Sequence, residues 1–144
     1  MHRRKLFRHF HKIHHLSIVP TPWATLSVNV NELLLTAPFM PLLVMVMPMH
    51  ISVWGAFAIL SVVKNVANHA GYEVVPNRLA RGPLRWWVTT THHDLHHRNP
   101  NYNFGAYFTW WDRWMGTENP AYYAHFAAAV RKPLAEPEAA VQTA

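Results

Sequence analysis

Apolar residues are concentrated in the middle of the chain, between a polar N-terminal stretch and a polar C-terminal half. The apolar run covers residues 33–63, and His50 is its only ionisable side chain. A helix that spans a membrane needs about 20 apolar residues. Three prolines interrupt the run and disfavour one straight helix: Pro38, Pro41 and Pro48. The pattern therefore predicts two apolar helices, at residues 33–47 and 51–66, that form a hairpin.

The polar parts of the chain predict two more helices. The first covers residues 3–15 and is ended by Pro20 and Pro22, and the second covers residues 86–97. Residues 71–85 and 98–105 are rich in turn-forming residues and are predicted loops, and a short aromatic segment follows at residues 110–116. From Ala127 the chain is rich in Ala, Pro and Glu. We therefore predict one domain at residues 1–126 and a disordered tail at residues 127–144.

Basic residues flank the apolar hairpin on both sides. Five Lys and Arg residues occur among the first 12 residues, and no acidic residue precedes Glu32. Four more basic residues follow the hairpin: Lys64, Arg78, Arg81 and Arg85. Because loops rich in Lys and Arg stay on the cytoplasmic side of a membrane, both termini are predicted to be cytoplasmic. No nucleic-acid-binding motif accompanies the basic residues, so we predict no nucleic-acid partner.

The composition favours a membrane-associated fold. Charged residues make up 14% of the chain, whereas soluble domains carry about 25%. A helical pair buried in a soluble core is the alternative interpretation of the hairpin. The absence of cysteine excludes a disulfide framework, a thiolate zinc site and an iron–sulfur cluster. We predict an all-α fold, a membrane-associated helical bundle with an apolar hairpin and a cytoplasmic, histidine-rich cap.

Two histidine motifs share the pattern H-x-x-H-H, at residues 11–15 and 93–97. Positions i, i+3 and i+4 lie on one face of an α-helix, so each motif directs three imidazoles the same way. Neutral imidazoles are ligands for Zn, Cu, Fe and Ni. Two motifs supply at least six nitrogens, more than one tetrahedral zinc ion can use. The spacing therefore predicts a two-metal centre, but it does not separate iron from zinc.

Two further motifs lie C-terminal to the second histidine motif. Residues 101–105 read N-Y-N-F-G, and residues 111–117 read W-D-R-W-M-G-T. Together with the histidine motifs they resemble the fatty acid hydroxylase/sterol desaturase superfamily of membrane di-iron oxygenases. That family has three histidine boxes, and residues 11–15 and 93–97 are similar to its second and third boxes. The likeness covers roughly residues 2–120.

The resemblance implies a set of metal ligands. The implied ligands are His2, His11, His14, His15, His69, His93, His96 and His97. His2 stands where the second histidine of the first box would fall, and the first histidine of that box would precede Met1. The chain thus resembles a family member that lacks its N-terminal part. On a straight helix His2 would lie opposite His11, so ligation by both requires a bend between them.

Other polar residues are given secondary roles. His92 adjoins the third box and is a candidate for a further ligand or for a hydrogen bond to one. The predicted hydrogen-bond partners of the ligands are Asp94, Asn101 and Asp112. The predicted non-ligands are His9, His50 and His125. Glu32 precedes the apolar run and is predicted to start a helix rather than to act in catalysis.

The resemblance implies an O2-dependent oxidoreductase with two irons that hydroxylates or desaturates a lipid such as a sterol or a fatty acyl chain. It also implies an external electron donor, which would be a cytochrome b5-like protein, a ferredoxin or a flavin reductase. A carotenoid hydroxylase-like enzyme is one alternative. The others are a zinc hydrolase and a non-catalytic membrane remnant, to which the missing first box points. The histidine motifs contain no Glu to serve as acid or base for a zinc-bound water.

Overall fold

The computed structural model describes residues 2, 4–18, 21–80 and 82–131. This part of the chain is helical and contains no β-strand, as predicted. The α-helices are α1 (Arg4–Leu6), α2 (Val30–Thr36), α3 (Phe39–Val46), α4 (Ile51–Asn68), α5 (Asn77–Ala80), α6 (Thr90–Arg98), α7 (Trp110–Met115) and α8 (Tyr122–Arg131). A π-helix (Phe7–His11) and two 3₁₀-helices (His14–Leu16 and Pro22–Leu26) complete the N-terminal region.

The N-terminal helix changes its pitch along its length. Helix α1 passes directly into the π-helix, in which the N–H of Lys12 donates to the carbonyl of Phe7, five residues earlier, at 2.8 Å. A turn leads into the 3₁₀-helix at His14–Leu16. Among the described residues, the prediction of one helix over residues 3–15 is therefore correct in approximate position and wrong in regularity. Pro20, predicted to help end this helix, lies outside the described residues.

The two predicted apolar arms are present and meet at a cleft lined by Leu43, Met47, Val53 and Phe57, but the first arm is divided. Helices α2 and α3 replace the predicted helix at residues 33–47, because Pro38 has no N–H to continue α2 and instead precedes the first turn of α3. The second arm is α4, close to the predicted residues 51–66. His50 caps α4, since its Nδ1 accepts the N–H of Ser52 at 3.2 Å. This cap explains the one ionisable side chain of the apolar run.

The hairpin exposes its apolar side chains. Among the described residues, α4 is the one helix long and apolar enough to cross a membrane, with a mean hydropathy of 1.3 and 11% of its residues buried. Residues Val30–Val46 form shorter apolar helices. Side chains such as Met45, Val46 and Ile59 are more than two-thirds exposed. Such a surface is typical of a helix that faces lipid rather than of a soluble core.

The C-terminal half differs from the prediction in three places. The predicted loop at residues 71–85 contains the short helix α5. The predicted helix at residues 86–97 begins only at Thr90, because Trp87 pairs with Phe108 in an antiparallel β-bridge. The hydroxyl of Thr89 then caps α6 by accepting the N–H of His92 at 3.2 Å. Helix α8 continues to Arg131, so residues 127–131, which were predicted to belong to the tail, are helical. Residues 132–144 lie outside the described residues.

The small apolar core joins α6 and α8. Leu95, Tyr122 and Phe126 form its buried cluster, and Val130 packs against it. The rest of the described interior is mainly polar, and histidines are prominent in it. Polar side chains are buried at a free-energy cost unless a partner compensates for the lost water. The fold therefore encloses a polar centre at the end of the hairpin where α4 meets α6.

Candidate metal centre

Eight buried or half-buried histidines converge in two groups of four. The first group, here called site A, contains His2, His11, His15 and His96. The second group, site B, contains His14, His69, His93 and His97. In each group one ring nitrogen per residue lies within 4.8 Å of the others. The structure thus brings together all eight histidines that the family resemblance implied. Their role as metal ligands is taken up below as a proposal.

The ring nitrogens of site B are closely spaced. The Nε2 of His69 lies 3.4 Å from the Nε2 of His14 and 3.2 Å from that of His93. The Nε2 atoms of His93 and His97 are also 3.2 Å apart. Four nitrogens placed tetrahedrally about 2.0–2.1 Å from one ion would lie about 3.3 Å apart. The spacing therefore matches that of a metal coordination shell.

Site A lies against site B. Within site A, the Nε2 atoms of His2 and His15 are 3.4 Å apart, and the ring centre of His96 lies 4.6 Å from that of His2. The ring centre of His15 is only 4.7 Å from that of His97, which belongs to site B. The two groups are therefore neighbours, as a centre with two ions requires.

Each H-x-x-H-H motif contributes to both groups. His11 and His15 point to site A and His14 to site B, whereas His93 and His97 point to site B and His96 to site A. In each motif the i and i+4 residues share a site and the i+3 residue enters the other. The three imidazoles of each motif do lie on one side of the helix, as predicted, but they do not all enter the same site. Adjacent imidazoles on one face serve two neighbouring sites.

His2 reaches site A from a position that precedes the first helix. A straight α-helix would place His2 opposite His11, yet their ring centres are 4.9 Å apart. A π-turn contains more residues than an α-turn and shifts the side chains that follow it. The required departure from a straight α-helix is therefore present, since His2 precedes α1 and a π-helix covers Phe7–His11.

Oxygen acceptors fix the ring orientation of three histidines. The Nδ1 of His11 lies 2.7 Å from a carboxylate oxygen of Glu32. The Nδ1 of His96 donates to the carbonyl of Tyr102 at 2.6 Å, and that of His69 donates to the carbonyl of Asn65 at 2.8 Å. When Nδ1 holds the proton, Nε2 presents its lone pair to the site. Histidines that bind metals are usually oriented in this way.

Glu32 is the partner that the sequence interpretation missed. It lies in the first turn of α2, as predicted, but its side chain is buried against His11. A signal was available, because Glu32 is the only acidic residue in the first 72 residues of a chain whose N-terminus is basic. A lone carboxylate beside a histidine motif is a candidate to orient an imidazole.

Burial keeps the imidazoles neutral. Loss of water, together with the neighbouring histidines, lowers the pKa of His2 and His15 to about 3, of His14 to about 4 and of His97 to about 2. For His93 the same causes hold the pKa well below its ordinary value of 6.5. Only the neutral imidazole has a lone pair for a metal ion. The centre is therefore in its ligand form at neutral pH.

The donor set fits metal ions. Eight neutral imidazoles suit iron or zinc and supply enough nitrogens for two ions. Without a cation, lone pairs directed at one point repel each other at these distances. Four Nδ1 atoms in the centre are also buried without a hydrogen-bond partner, those of His14, His15, His93 and His97. Buried polar groups left in this state destabilise a fold, and the closely spaced Nε2 atoms of the same rings are the ones that a cation would bind.

Acidification is expected to destabilise the metal-free protein between pH 6.5 and about pH 3. The imidazoles of an unfolded chain take up protons near pH 6.5, whereas burial lowers the pKa of His2 and His15 to about 3 in the folded protein. The unfolded chain therefore binds more protons throughout this interval, and the free energy of unfolding falls as the pH falls. Circular dichroism in detergent should show a lower Tm at pH 5 than at pH 7. An unchanged Tm would contradict the burial of neutral imidazoles.

The W-D-R-x-x-G-T motif holds the loop that orients His96. Asp112 is 1% exposed. Its carboxylate accepts the N–H of Phe104 at 2.8 Å, the N–H of Gly105 at 2.9 Å and the hydroxyl of Thr117 at 2.8 Å. The same loop contains Tyr102, whose carbonyl accepts the Nδ1–H of His96. Asp112 therefore acts on site A through the backbone of residues 102–105.

Two glycines of these motifs are required by the space and the backbone. A Cβ on Gly105 would lie 2.4 Å from the carbonyl oxygen of Phe108 and 2.9 Å from the carboxylate of Asp112. No side chain fits there without moving the backbone. Gly116 ends α7 with a φ of +67°, a conformation that glycine adopts without strain. Both glycines therefore serve the loop that Asp112 holds.

The other residues that were predicted to act at the site lie outside both groups of four histidines. Asp94 pairs with Arg98 at 2.8 Å, and exposed Asn101 bonds to Asn99. His92 is fully buried outside both groups, with its Nε2 3.8 Å from the carboxylate of Asp112. The three predicted non-ligands also lie outside both groups: His9, His50 and His125.

Comparison with known proteins identifies the family of the chain. The sequence model of the fatty acid hydroxylase family matches residues 1–117. The chain belongs to the fatty acid hydroxylase family. The membership predicted from the histidine boxes and the residues that follow them is therefore confirmed. No solved structure matches the chain.

Several relatives of this chain are named as sterol-modifying enzymes. Cholesterol 25-hydroxylase of Rattus norvegicus is 36% identical over 112 residues, which are 78% of this chain and 38% of the relative. Lathosterol oxidase of Rattus norvegicus is 34% identical over 119 residues, 81% of this chain and 38% of the relative. Methylsterol monooxygenase 1 of Gallus gallus is 27% identical over 119 residues, which are 83% of this chain and 40% of the relative. The chain thus spans about two-fifths of the length of these relatives.

Proposed function

We propose that this chain carries the metal centre of an O2-dependent di-iron oxidoreductase that hydroxylates or otherwise oxidises a sterol or a related lipid. The observation that carries the proposal is the convergence of eight neutral imidazoles in sites A and B. Membership of the fatty acid hydroxylase family supports it. Two irons held by these imidazoles would supply the activation of O2 and the oxidation of a C–H bond.

The donor set favours iron over zinc. A catalytic zinc ion is held by three protein ligands and keeps one position for water. Sites A and B each offer four imidazoles, which would fill a tetrahedral zinc ion. Iron accepts more ligands and keeps positions open for other molecules. A zinc hydrolase is therefore the weaker proposal.

In this proposal the residues of the chain bind the metal ions and orient the imidazoles, and they do not transfer protons. Glu32 and the carbonyls of Asn65 and Tyr102 hold one imidazole each, so that Nε2 is directed into the site. The fold around the centre excludes water, since five of the eight histidines are less than a tenth exposed. No described side chain need act as a nucleophile. The proposed mechanism thus assigns the chain a scaffold and shielding role.

A sterol is the proposed substrate class because the relatives named above are a cholesterol hydroxylase, a lathosterol oxidase and a methylsterol monooxygenase. The exposed apolar helices α2 to α4 lie beside the centre, and a lipid would reach it laterally from the membrane. Electrons would come from an external donor, a cytochrome b5-like protein, a ferredoxin or a flavin reductase. The chain itself has no cysteine for an iron–sulfur cluster.

Metal analysis and a sterol oxidation assay test the proposed function. The chain is purified in detergent, loaded with Fe(II) without oxygen, desalted and analysed by plasma mass spectrometry. We expect about two irons per chain, and oxidised cholesterol after addition of O2 and a reductant. One zinc ion per chain after loading with mixed metals, or no bound metal, would contradict the proposal. Loading of a variant in which His14 and His96 are both alanine provides the background value.

The hairpin is proposed to insert into the membrane with the centre and both termini on the cytoplasmic side. We expect the chain to float with phosphatidylcholine liposomes in a density gradient. Aspartates in place of Ile59 and Val62, exposed residues of α4, should abolish flotation, because each costs about 2.5–3.5 kcal/mol at the centre of a membrane helix. Leu16→Asp, at an exposed site outside the hairpin, is the control. Flotation of the double aspartate variant would refute insertion of α4.

A further inference from the structure

Helix α4 contains one charged residue, Lys64, and buries it. The side chain is 4% exposed, whereas the neighbouring Val62 and Val63 are about 60% exposed. Removing an ammonium group from water destabilises the fold unless protein groups replace its hydration. Ionisable residues in membrane helices face the protein interior and have specific partners. Neither the family motifs nor the eight histidines account for Lys64.

The ammonium group of Lys64 has three neutral partners. Its Nζ donates to the side-chain oxygen of Asn68 at 2.8 Å and to the backbone carbonyl of Val88. It also lies 4.7 Å from the ring centre of Trp87. An ammonium group has three donors, so hydrogen bonds and a cation–π contact compensate for most of its lost hydration. The contact joins α4 to the segment that leads into α6.

Neighbouring bonds extend this junction. The amide of Asn68 donates to the carbonyl of Ala106 at 3.1 Å, and the hydroxyl of Thr90 donates to the carbonyl of Ala67 at 2.8 Å. The last turn of α4 is thus bonded to the chain before α6, to α6 itself and to the loop beyond it. His69 follows this turn immediately and is 2% exposed. The position of its imidazole depends on how α4 is aligned with α6.

His69 is the member of site B that lies outside both histidine motifs. His93 and His97 are positioned together because they share α6, whereas His69 reaches them only across the junction of α4 and α6. A methionine at residue 64 would fill much of the same space without burying a charge, so packing alone does not require lysine. We propose that Lys64 is a positioning residue, which holds His69 at site B by bonding α4 to the segment before α6. This inference rests on the proposed function of site B as a metal site.

Titration with Co(II), a spectroscopic substitute for Fe(II), tests the proposal on the whole chain in detergent. The wild-type chain is expected to bind two ions. Lys64→Met should weaken binding of one ion by about 10–100-fold and leave the other unchanged, the range found when outer partners of metal ligands are removed. Val63→Met introduces the same side chain at an exposed site one residue earlier and should behave as wild type.

A second set of variants separates positioning from general folding. In a His69→Ala background site B has already lost a ligand, so adding Lys64→Met should cause no further loss of Co(II) affinity at site B. Lys64→Gln keeps a donor for Val88 without the charge and should bind more tightly than Lys64→Met. Wild-type binding by Lys64→Met, loss of both ions, or additive losses in the double variant would each overturn the inference. A wild-type chain that binds no ion would instead overturn the proposed metal centre itself.

Discussion

Replacement of His14 by alanine is expected to abolish lipid oxidation by the active protein and to remove one of two bound ions. His14 supplies one of four nitrogens at site B and is 3.4 Å from the Nε2 of His69. Loss of a direct ligand should exceed the roughly 100-fold effect of losing an outer partner. His96→Ala should have the same effect on activity but remove the ion of site A. Oxidised sterol is measured by mass spectrometry, and iron by elemental analysis of the same samples.

His9→Ala is the matched control for this prediction. The His9 side chain is exposed, and the contacts of this residue with Asn29 and Asn31 use its backbone carbonyl, which the substitution retains. Iron content and activity should therefore stay near the wild-type values. Normal iron content and activity in His14→Ala would show that site B is not a metal site. Loss of both ions in either variant would contradict the prediction that each site holds its own ion.

The sequence could predict which histidines come together but not how they divide. Spacing at i, i+3 and i+4 places three imidazoles on one side of a helix. Whether the imidazole of His14 lies in the same site as that of His11 or that of His93 depends on how the two histidine-bearing helices pack against each other. The sequence of one helix does not determine that packing. The π-helix between α1 and His11 is also set by packing, since no residue type in Phe7–His11 encodes it.

Most of the partners that orient the imidazoles could not be predicted from the sequence. Two of them, at Asn65 and Tyr102, are backbone carbonyls, which every residue type provides. Glu32 is a side chain, but its contact with His11 joins residues 21 positions apart. The apolar hairpin was easier to predict because hydrophobicity and proline act locally. The start of α6 was predicted too early because the bridge from Trp87 to Phe108 is a contact between distant residues.

Two aspartates assigned the same role from sequence are expected to differ strongly in the consequences of their removal. Asp112→Ala leaves the N–H groups of Phe104 and Gly105 and the hydroxyl of Thr117 without their acceptor. Hydrogen bonds to a charged group contribute about 1.5–3 kcal/mol each, and donors left buried without partners add a further cost. A loss of at least about 4 kcal/mol is therefore expected. Site A should also bind iron more weakly, because the carbonyl of Tyr102 is no longer held for His96.

Asp94→Ala is the comparison that isolates the buried network. Asp94 bonds to Arg98, which is about half exposed, one turn further along α6. Surface pairs of this kind contribute less than about 1 kcal/mol. Thermal unfolding and iron content of both variants are measured in the same detergent, and Asp94→Ala should resemble wild type in both. Equal destabilisation by the two substitutions would show that the carboxylate of Asp112 does not hold the loop. If Asp112→Ala fails to fold, Thr117→Val removes one of the three bonds and should weaken site A in the same direction.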